Sequence, residues 1–261
     1  MAKKDYWAER MAAAQTKLTN KSIYEVDKQL NKYYSNTMRK VISDFENTYD
    51  KIQWQIAQGK APTPALLYQL DNYWQMQGQL REELEKLGNR TEALFSERFE
   101  QQWFNIYNSF SLPSDQGFST ISRENVQQMI RQVWCADGKN WSKRVWGNTE
   151  KLLETLNEEL VNSVVTGAPA SNLKRALRER FNVSYNAADT IARTELAHIQ
   201  TQAAATRYKN AGVKEIEVWA DEDERRCEEC GKLHEQRFPI GAKVPIPAHP
   251  RCRCCILPVI E

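Results

Sequence analysis

Apolar residues recur every three or four positions through most of the first 110 residues, which is the period of an amphipathic helix. The first stripe comprises Ile23, Val26, Leu30, Tyr33, Met38, Val41, Phe45, Tyr49, Ile52 and Ile56. Its phase changes between Tyr33 and Met38, as at a skip in a coiled-coil seam. We therefore predict a long helix packed against another helix, either inside the protein's own bundle, which is the more common outcome, or against a partner, self-association included.

Turn residues divide the rest of this region into further helices. Gly59-Lys60-Ala61-Pro62 ends the first one, and Thr63 with Pro64 begins the next, which reaches Gly88. Thr91 then opens a third helix that continues to about residue 110. Residues 1–110 are thus predicted to form an elongated helical hairpin or bundle, and the turn-rich segment 111–117 is the predicted domain boundary.

Shorter helices are predicted in a middle region, residues 118–181. Ser122 is expected to cap one that runs to about Cys135, and Thr149 to open another that reaches Val165. The intervening loop is flanked by aromatic and basic residues, namely Trp134, Lys139, Trp141, Lys143, Arg144 and Trp146. Such residues can stack on and neutralise a nucleic-acid strand, although tryptophans this close together more often pack at the edge of a core.

The hydrophobic period changes within the last region, residues 182–261. Asn186 is expected to cap a helix that ends at Gly212. Residues 215–219 then alternate polar and apolar, which indicates a half-buried strand. Residues 252–259 are expected to return as a second strand beside Trp219. His198, alone on the helix, is expected to be structural.

Composition limits the classes of function. The 36 basic and 34 acidic side chains of the 261 residues leave a net charge of +2, so the chain has no global footprint for nucleic acid and any DNA contact must be local. No apolar run approaches the roughly 20 residues needed to span a bilayer, and the N-terminus lacks the apolar core of a signal peptide. We expect a protein that does not enter membranes and keeps its thiols reduced.

The candidate chemistry lies near the C-terminus. Five soft ligands gather there as CEEC and HPRCRC: Cys227, Cys230, His249, Cys252 and Cys254. Two close pairs of thiolate or imidazole ligands separated by a loop are typical of a closed, tetrahedral, structural zinc site. The alternative is a disulfide or a set of buried apolar thiols. Cys135 and Cys255 are predicted to be core residues.

Five candidate ligands compete for four places. Cys227 and Cys230 form the stronger half, where a tight turn can aim both sulfurs at one ion. Either His249 with Cys252 or Cys252 with Cys254 completes the shell, and His234 is a weaker alternate ligand. The predicted fold class is therefore mainly α, with a long-helix N-terminal body followed by a small α+β C-terminal domain that holds a zinc-pinned β-hairpin sheet.

Three motifs in a fixed order carry a resemblance to a known family. They are IARTELAHIQTQAAATRYKNAGV at 191–213, VWADEDERRCEECGKLHEQRF at 218–238 and PAHPRCRC at 247–254. This order resembles the C-terminal domain of tailed-phage head-morphogenesis proteins, the Mu protein F-like minor head family.

The resemblance implies a minor structural protein of the bacteriophage virion, without catalytic activity. It implies assembly in the host cytoplasm, a place in the head interior or portal region, and the phage portal, capsid and scaffold proteins as partners. A role in DNA packaging or DNA ejection, with phage DNA as a further partner, stays open.

Two other functions are compatible with the cysteine pattern. A metal-dependent nuclease of the HNH type would need a histidine base beside its own metal ligands, and only His234 and His249 are at hand. A zinc-ribbon nucleic-acid adaptor would bind DNA through the tail in a salt-sensitive way.

Overall fold

The computed structural model describes residues 3–110, 121–220 and 226–260, and most of these are helical. The elements in chain order are α1 (Lys3–Ala57), α2 (Pro64–Tyr68), α3 (Asp71–Tyr107), α4 (Arg123–Ile130), α5 (Trp141–Thr166), α6 (Ala170–Asn210), β1 (Glu215–Trp219), α7 (Glu228–Leu233), β2 (Arg237–Pro239) and β3 (Cys255–Pro258). The predicted class, long helices followed by a small α+β region, is confirmed. In the described part of the chain, no helix combines the length and the apolar character needed to cross a bilayer.

The buried stripe of α1 runs without the predicted change of phase. Tyr33 and Met38 are only half-buried, whereas Tyr34 and Thr37 face inward and keep the three-and-four spacing intact. The buried positions between residues 30 and 52 are Leu30, Tyr34, Thr37, Val41, Ile42, Phe45, Thr48, Tyr49 and Ile52. The apparent skip arose because a buried polar residue, Thr37, does not count as apolar in the pattern.

Helix boundaries in the N-terminal half are partly as predicted. Thr63 caps α2, where its hydroxyl accepts the amide of Leu66 at 3.3 Å and Pro64 takes the first turn. Gly88, however, does not end a helix: α3 runs straight through it. A glycine in a helix interior costs about 1 kcal/mol relative to alanine, and here the indole of Trp146 occupies the space that a side chain would need.

The later helices also depart from their predicted starts. Ser122 caps α4 as predicted, accepting the amide of Asn125, but α4 ends at Ile130. Helix α5 begins at Trp141 rather than Thr149, and α6 passes through Asn186, which is an exposed position inside the helix. The apolar face of α6 continues on both sides of Asn186, and that packing outweighs the weak capping preference of one residue.

The described structure divides into two compact units, each made of segments that are separated in the sequence. One unit contains Met1–Asp27, Leu94–Trp141 and Thr190–Glu261, and the other contains Lys28–Ala93 and Ser142–Asp189. Each has its own core of fully buried aromatic and aliphatic side chains: Phe95, Phe99, Trp103 and Trp141 in the first, and Phe45, Tyr49, Leu156 and Phe181 in the second. The three consecutive domains expected from the sequence stay a prediction, and their proposed boundary at 111–117 lies outside the described residues.

The strands form a three-stranded antiparallel sheet in the order β2-β1-β3. The predicted strand 215–219 is β1 and lies in the centre, with Ile216 opposite Phe238 of β2 and Trp219 opposite Cys255 of β3. It follows the end of α6, where Gly212 has a φ of +77° and the Val213 amide bonds the carbonyl of Tyr208. The return strand begins at Cys255, so Cys252 and Cys254 precede it in the loop.

Candidate metal centre

Helix α7 brings together the first pair of thiols. Cys227 is its N-cap residue, and its Sγ accepts the backbone N–H of Cys230 at 3.3 Å. A short helix thus replaces the tight turn expected at CEEC, with Glu228 and Glu229 in its first turn. An N-cap residue and the third helical residue lie on the same side of the first turn, so both sulfurs face one point.

Two further candidate ligands lie in a β-turn formed by residues 249–252. The amide of Cys252 bonds the carbonyl of His249 at 3.2 Å, Pro250 occupies the second position, and Arg251 has a φ of +62° at the third. This is the geometry of a type II turn. Its first and last residues, His249 and Cys252, are both candidate ligands.

The orientation of the His249 ring suits it to bind a metal. Its Nδ1 lies 2.8 Å from the carbonyl oxygen of Pro250. Because a carbonyl only accepts hydrogen bonds, Nδ1 carries the proton and Nε2 of the neutral ring has a lone pair. Nε2 lies 3.2 Å from Sγ of Cys230. A backbone carbonyl that orients the other nitrogen is a usual partner of metal-binding histidines.

All five predicted ligands meet in one cluster. Cys227, Cys230 and His249 form one triad and Cys230, Cys252 and Cys254 another, and within each triad the ligand atoms lie within 4.8 Å of one another. Cys230 belongs to both. Its Sγ is 3.7 Å from Sγ of Cys252, close to the edge of about 3.8 Å that a tetrahedron with 2.3 Å zinc–sulfur bonds requires. The cluster can therefore hold a metal ion.

The thiols of the cluster differ in acidity. A hydrogen bond with the Cys254 thiol, followed by backbone amides, lowers the pKa of Cys252 to about 5. The pKa of Cys254 is raised, first by this same bond and then by burial. Burial raises the pKa of Cys230 to about 12, whereas the Cys230 amide lowers the pKa of Cys227. Cys252 and Cys227 are thus the thiols that ionise most readily.

The other cysteines and His234 lie elsewhere. Nδ1 of His234 accepts the Ala220 amide at 3.2 Å, and its ring packs edge-on against Trp219 at a centroid distance of 4.9 Å. Cys255 is buried, as predicted, whereas Cys135 is only half-buried. Among the described residues, which include all the cysteines, no disulfide is formed.

Helix α6 contacts the turn that carries His249 and Cys252. The hydroxyl of Thr194 accepts the Arg251 amide at 3.1 Å, and the hydroxyl of Thr190 accepts Nε of Arg251 at 3.0 Å. Nothing in the sequence patterns identified these two threonines. The signal that was available is the arginine that follows Pro250, because a type II turn favours glycine at that position.

The tryptophans of the middle region pack inward. Trp141 is 1% exposed and its Nε1 donates to the carbonyl of Ile130. Trp134 donates to Glu195 at 2.9 Å and stacks on the ring of His198, with centroids 4.1 Å apart and planes 9° apart. Both contacts are those of a core edge, so these rings do not form an exposed stacking platform for nucleic acid.

The fold and the cluster define a long-helix protein with a small cysteine-rich α+β module. Residues 154–257 match the family model described as Phage Mu protein F like protein. The match begins within α5, upstream of the motifs that carried the resemblance, and includes all five candidate ligands. It confirms the predicted resemblance and indicates a phage head-related protein. No similar protein was found among curated proteins, and none among solved structures.

Proposed function

We propose that this protein is a minor structural component of a tailed-bacteriophage head, acting in head morphogenesis at the portal or the inner capsid. The match of residues 154–257 to the Mu protein F-like family carries this proposal. The long helices support it, because extended helical surfaces suit contacts with other assembly proteins. Portal, capsid and scaffold proteins are the proposed partners.

The role we propose is not enzymatic. The nuclease alternative relied on His234 as a general base, but the Nδ1 of His234 accepts a backbone amide and its ring packs against Trp219. These contacts support a structural role for His234. His198 is likewise packed, stacked on Trp134.

We further propose that the cysteine cluster binds one zinc ion as a structural centre. Thiolate and imidazole ligands favour zinc, and a closed four-ligand shell holds chain segments together. We assign the ligands as Cys227, Cys230, His249 and Cys252, since His249 presents its lone pair and the separation of Cys230 and Cys252 fits a tetrahedral edge. Cys254 then supports Cys252 through its hydrogen bond.

Elemental analysis of two variants tests this ligand assignment. His249→Ala is expected to lose most of the zinc, and Cys254→Ser to keep close to one zinc per chain, because a serine hydroxyl can still donate to the Cys252 thiolate. The reverse pattern would make Cys254 the fourth ligand. Equal retention by both variants would contradict the assigned set.

The assembly role is tested in the phage that encodes this chain. Interrupting its gene is expected to lower the yield of infectious particles and to produce defective heads, and expression of the gene in trans should restore both. Mass spectrometry of purified complemented particles should detect the protein. Normal, infectious heads without the protein would overturn the proposed role.

A further inference from the structure

We propose that Thr190 and Thr194 of α6, together with Arg251, form a latch that positions the metal-binding turn. This inference rests on the proposed zinc centre. None of these three residues is a candidate ligand, but they fix the backbone of the turn whose first and last residues are His249 and Cys252. They are therefore positioning residues for the metal.

The turn has an unfavourable backbone conformation at its centre. Arg251 has a φ of +62°, a left-handed value that L residues with a Cβ adopt at a free-energy cost. Such conformations persist when surrounding contacts over-determine them. Without those contacts, the chain from His249 to Cys252 would relax to other turn geometries and separate the two ligands.

Two of the contacts that hold Arg251 come from one face of α6. Thr190 and Thr194 are four residues apart and so lie one above the other on the helix. The hydroxyl of Thr194 donates to the carbonyl of Thr190 at 2.7 Å, which leaves its oxygen lone pairs to accept the Arg251 amide at 3.1 Å. The guanidinium Nε of Arg251 reaches the Thr190 hydroxyl at 3.0 Å.

The latch links two motifs that are far apart in the sequence. Thr194 is the third residue of the ARTE motif, and Arg251 lies inside HPRC. The first motif thereby gains a function in the metal centre although it supplies no ligand. Residues that orient metal ligands from the outside typically change metal affinity about 10- to 100-fold when they are mutated.

Thr194→Val in the full-length protein is the test, with Thr206→Val as a matched control. Both threonines are half-buried on α6, and the hydroxyl of each donates to the carbonyl four residues earlier. Of these two threonines, Thr194 is the one that hydrogen-bonds to Arg251 of the turn. The two substitutions therefore remove the same local helix bond, and they differ in the bond to Arg251.

Zinc affinity is measured by competition with a chelator, and the ligand geometry by the ligand-field spectrum of the cobalt(II) form. Thr194→Val is expected to weaken zinc binding about 10- to 100-fold and to alter the cobalt spectrum, with an unchanged far-UV circular dichroism signal. Thr206→Val should stay within about twofold of wild type. Arg251→Ala, which keeps the backbone bond to Thr194, should give a smaller loss than Thr194→Val.

The outcomes separate this inference from the metal assignment. Wild-type protein that takes up no zinc would overturn the metal centre and the latch with it. Zinc-binding wild-type protein, accompanied by Thr194→Val and Arg251→Ala variants with unchanged affinity and cobalt spectra, would overturn the latch alone. An equal loss in Thr194→Val and Thr206→Val would also overturn it, because the effect would then come from the helix bond.

Discussion

At the scale of single residues, Gly88 and Gly78 of α3 are expected to respond oppositely to alanine. A Cβ at Gly88 would lie 2.8 Å from Cζ3 of Trp146. The indole ring is held in place by a hydrogen bond that its Nε1 donates to the Glu92 carboxylate at 2.8 Å. We predict that Gly88→Ala lowers the free energy of unfolding by about 1–3 kcal/mol, as overpacking does. Urea denaturation measures the change.

Gly78 is the control for this prediction. It is exposed on the same helix, and a Cβ there would meet nothing within 4 Å. Gly78→Ala should therefore raise stability by about 0.5–1 kcal/mol, the usual gain from replacing a helical glycine. A stabilising Gly88→Ala would contradict the prediction. It would mean that the Trp146 ring can move away from residue 88 without loss of packing.

The stacked His198 makes stability sensitive to acid. Burial lowers the pKa of His198 from 6.5 to about 4, and its Nδ1 is buried without a hydrogen-bond partner among the described residues. Above pH 6.5 the ring is neutral in both folded and unfolded states. As the pH falls from 6.5 towards 4, the unfolded chain binds the proton first, so stability should fall by as much as about 3 kcal/mol.

His198→Phe isolates this effect, because phenylalanine can still stack on Trp134 but cannot titrate. The difference in unfolding free energy between wild type and variant should change steadily between pH 6.5 and 4 and level off outside that window. The other titrating groups, the candidate metal ligands included, are shared by both proteins. Parallel stability curves would show that the pKa of His198 is the same in the folded and unfolded states.

At the scale of elements, a buried polar network joins α1, α3 and α6 in the first unit. Ser22 donates to Oε1 of Gln102, and Nε2 of Gln102 donates to Thr19, each at 2.7 Å. Thr19 in turn donates to Gln200 of α6. Because Gln102 is fully buried, its hydrogen bonds fix how the helices are aligned along their axes.

Gln102→Leu is predicted to destabilise the protein by about 2 kcal/mol or more. Leucine has a similar volume, so the main cost is that of buried hydroxyls at Ser22 and Thr19 losing a partner. The neighbouring Gln101 is exposed, and Gln101→Leu should change stability by no more than about 0.5 kcal/mol. Equal, small effects in thermal unfolding would mean that water replaces the missing amide.

The elements also show what the sequence could and could not predict. Strand 215–219 was predicted at its exact bounds because alternation reports one buried face directly. Helix boundaries at Gly88 and Asn186 were wrong, since local breaking or capping preferences of about 1 kcal/mol are outweighed by packing against residues distant in sequence. The inward position of Thr37 was missed for a related reason, because hydrophobic patterns do not count buried polar residues.

The candidate metal site, too, could be predicted from the sequence only in part. Spacing alone singled out its five candidate ligands, because metal-binding cysteines and histidines come in close pairs, and the structure brings these residues together. That α6 holds the HPRC turn depends on contacts between segments more than fifty residues apart. No local pattern reports such contacts.

At the scale of the whole molecule, the two units are expected to respond differently to loss of metal. The cluster and the three strands belong to the first unit. The strands are short, of five, three and four residues, and such a sheet is marginal on its own. Bound zinc contributes an apparent stabilisation of about 10–16 kcal/mol in small zinc modules.

We therefore predict that a chelator loosens the sheet while most helical signal remains. In hydrogen exchange, amides of β1 and β3 should exchange much faster after metal removal, whereas buried amides of α5 in the second unit, around Leu152 and Leu156, should keep their protection. Cys135→Ser, outside both ligand triads, should behave like wild type, and Cys230→Ser should resemble the chelated protein without a chelator.

Uniform loss of protection in both units would mean that the metal supports the molecule as one cooperative structure. Unchanged protection everywhere would mean that packing around Cys255 and Leu257, against Ala12 of α1, holds the sheet without help from the metal.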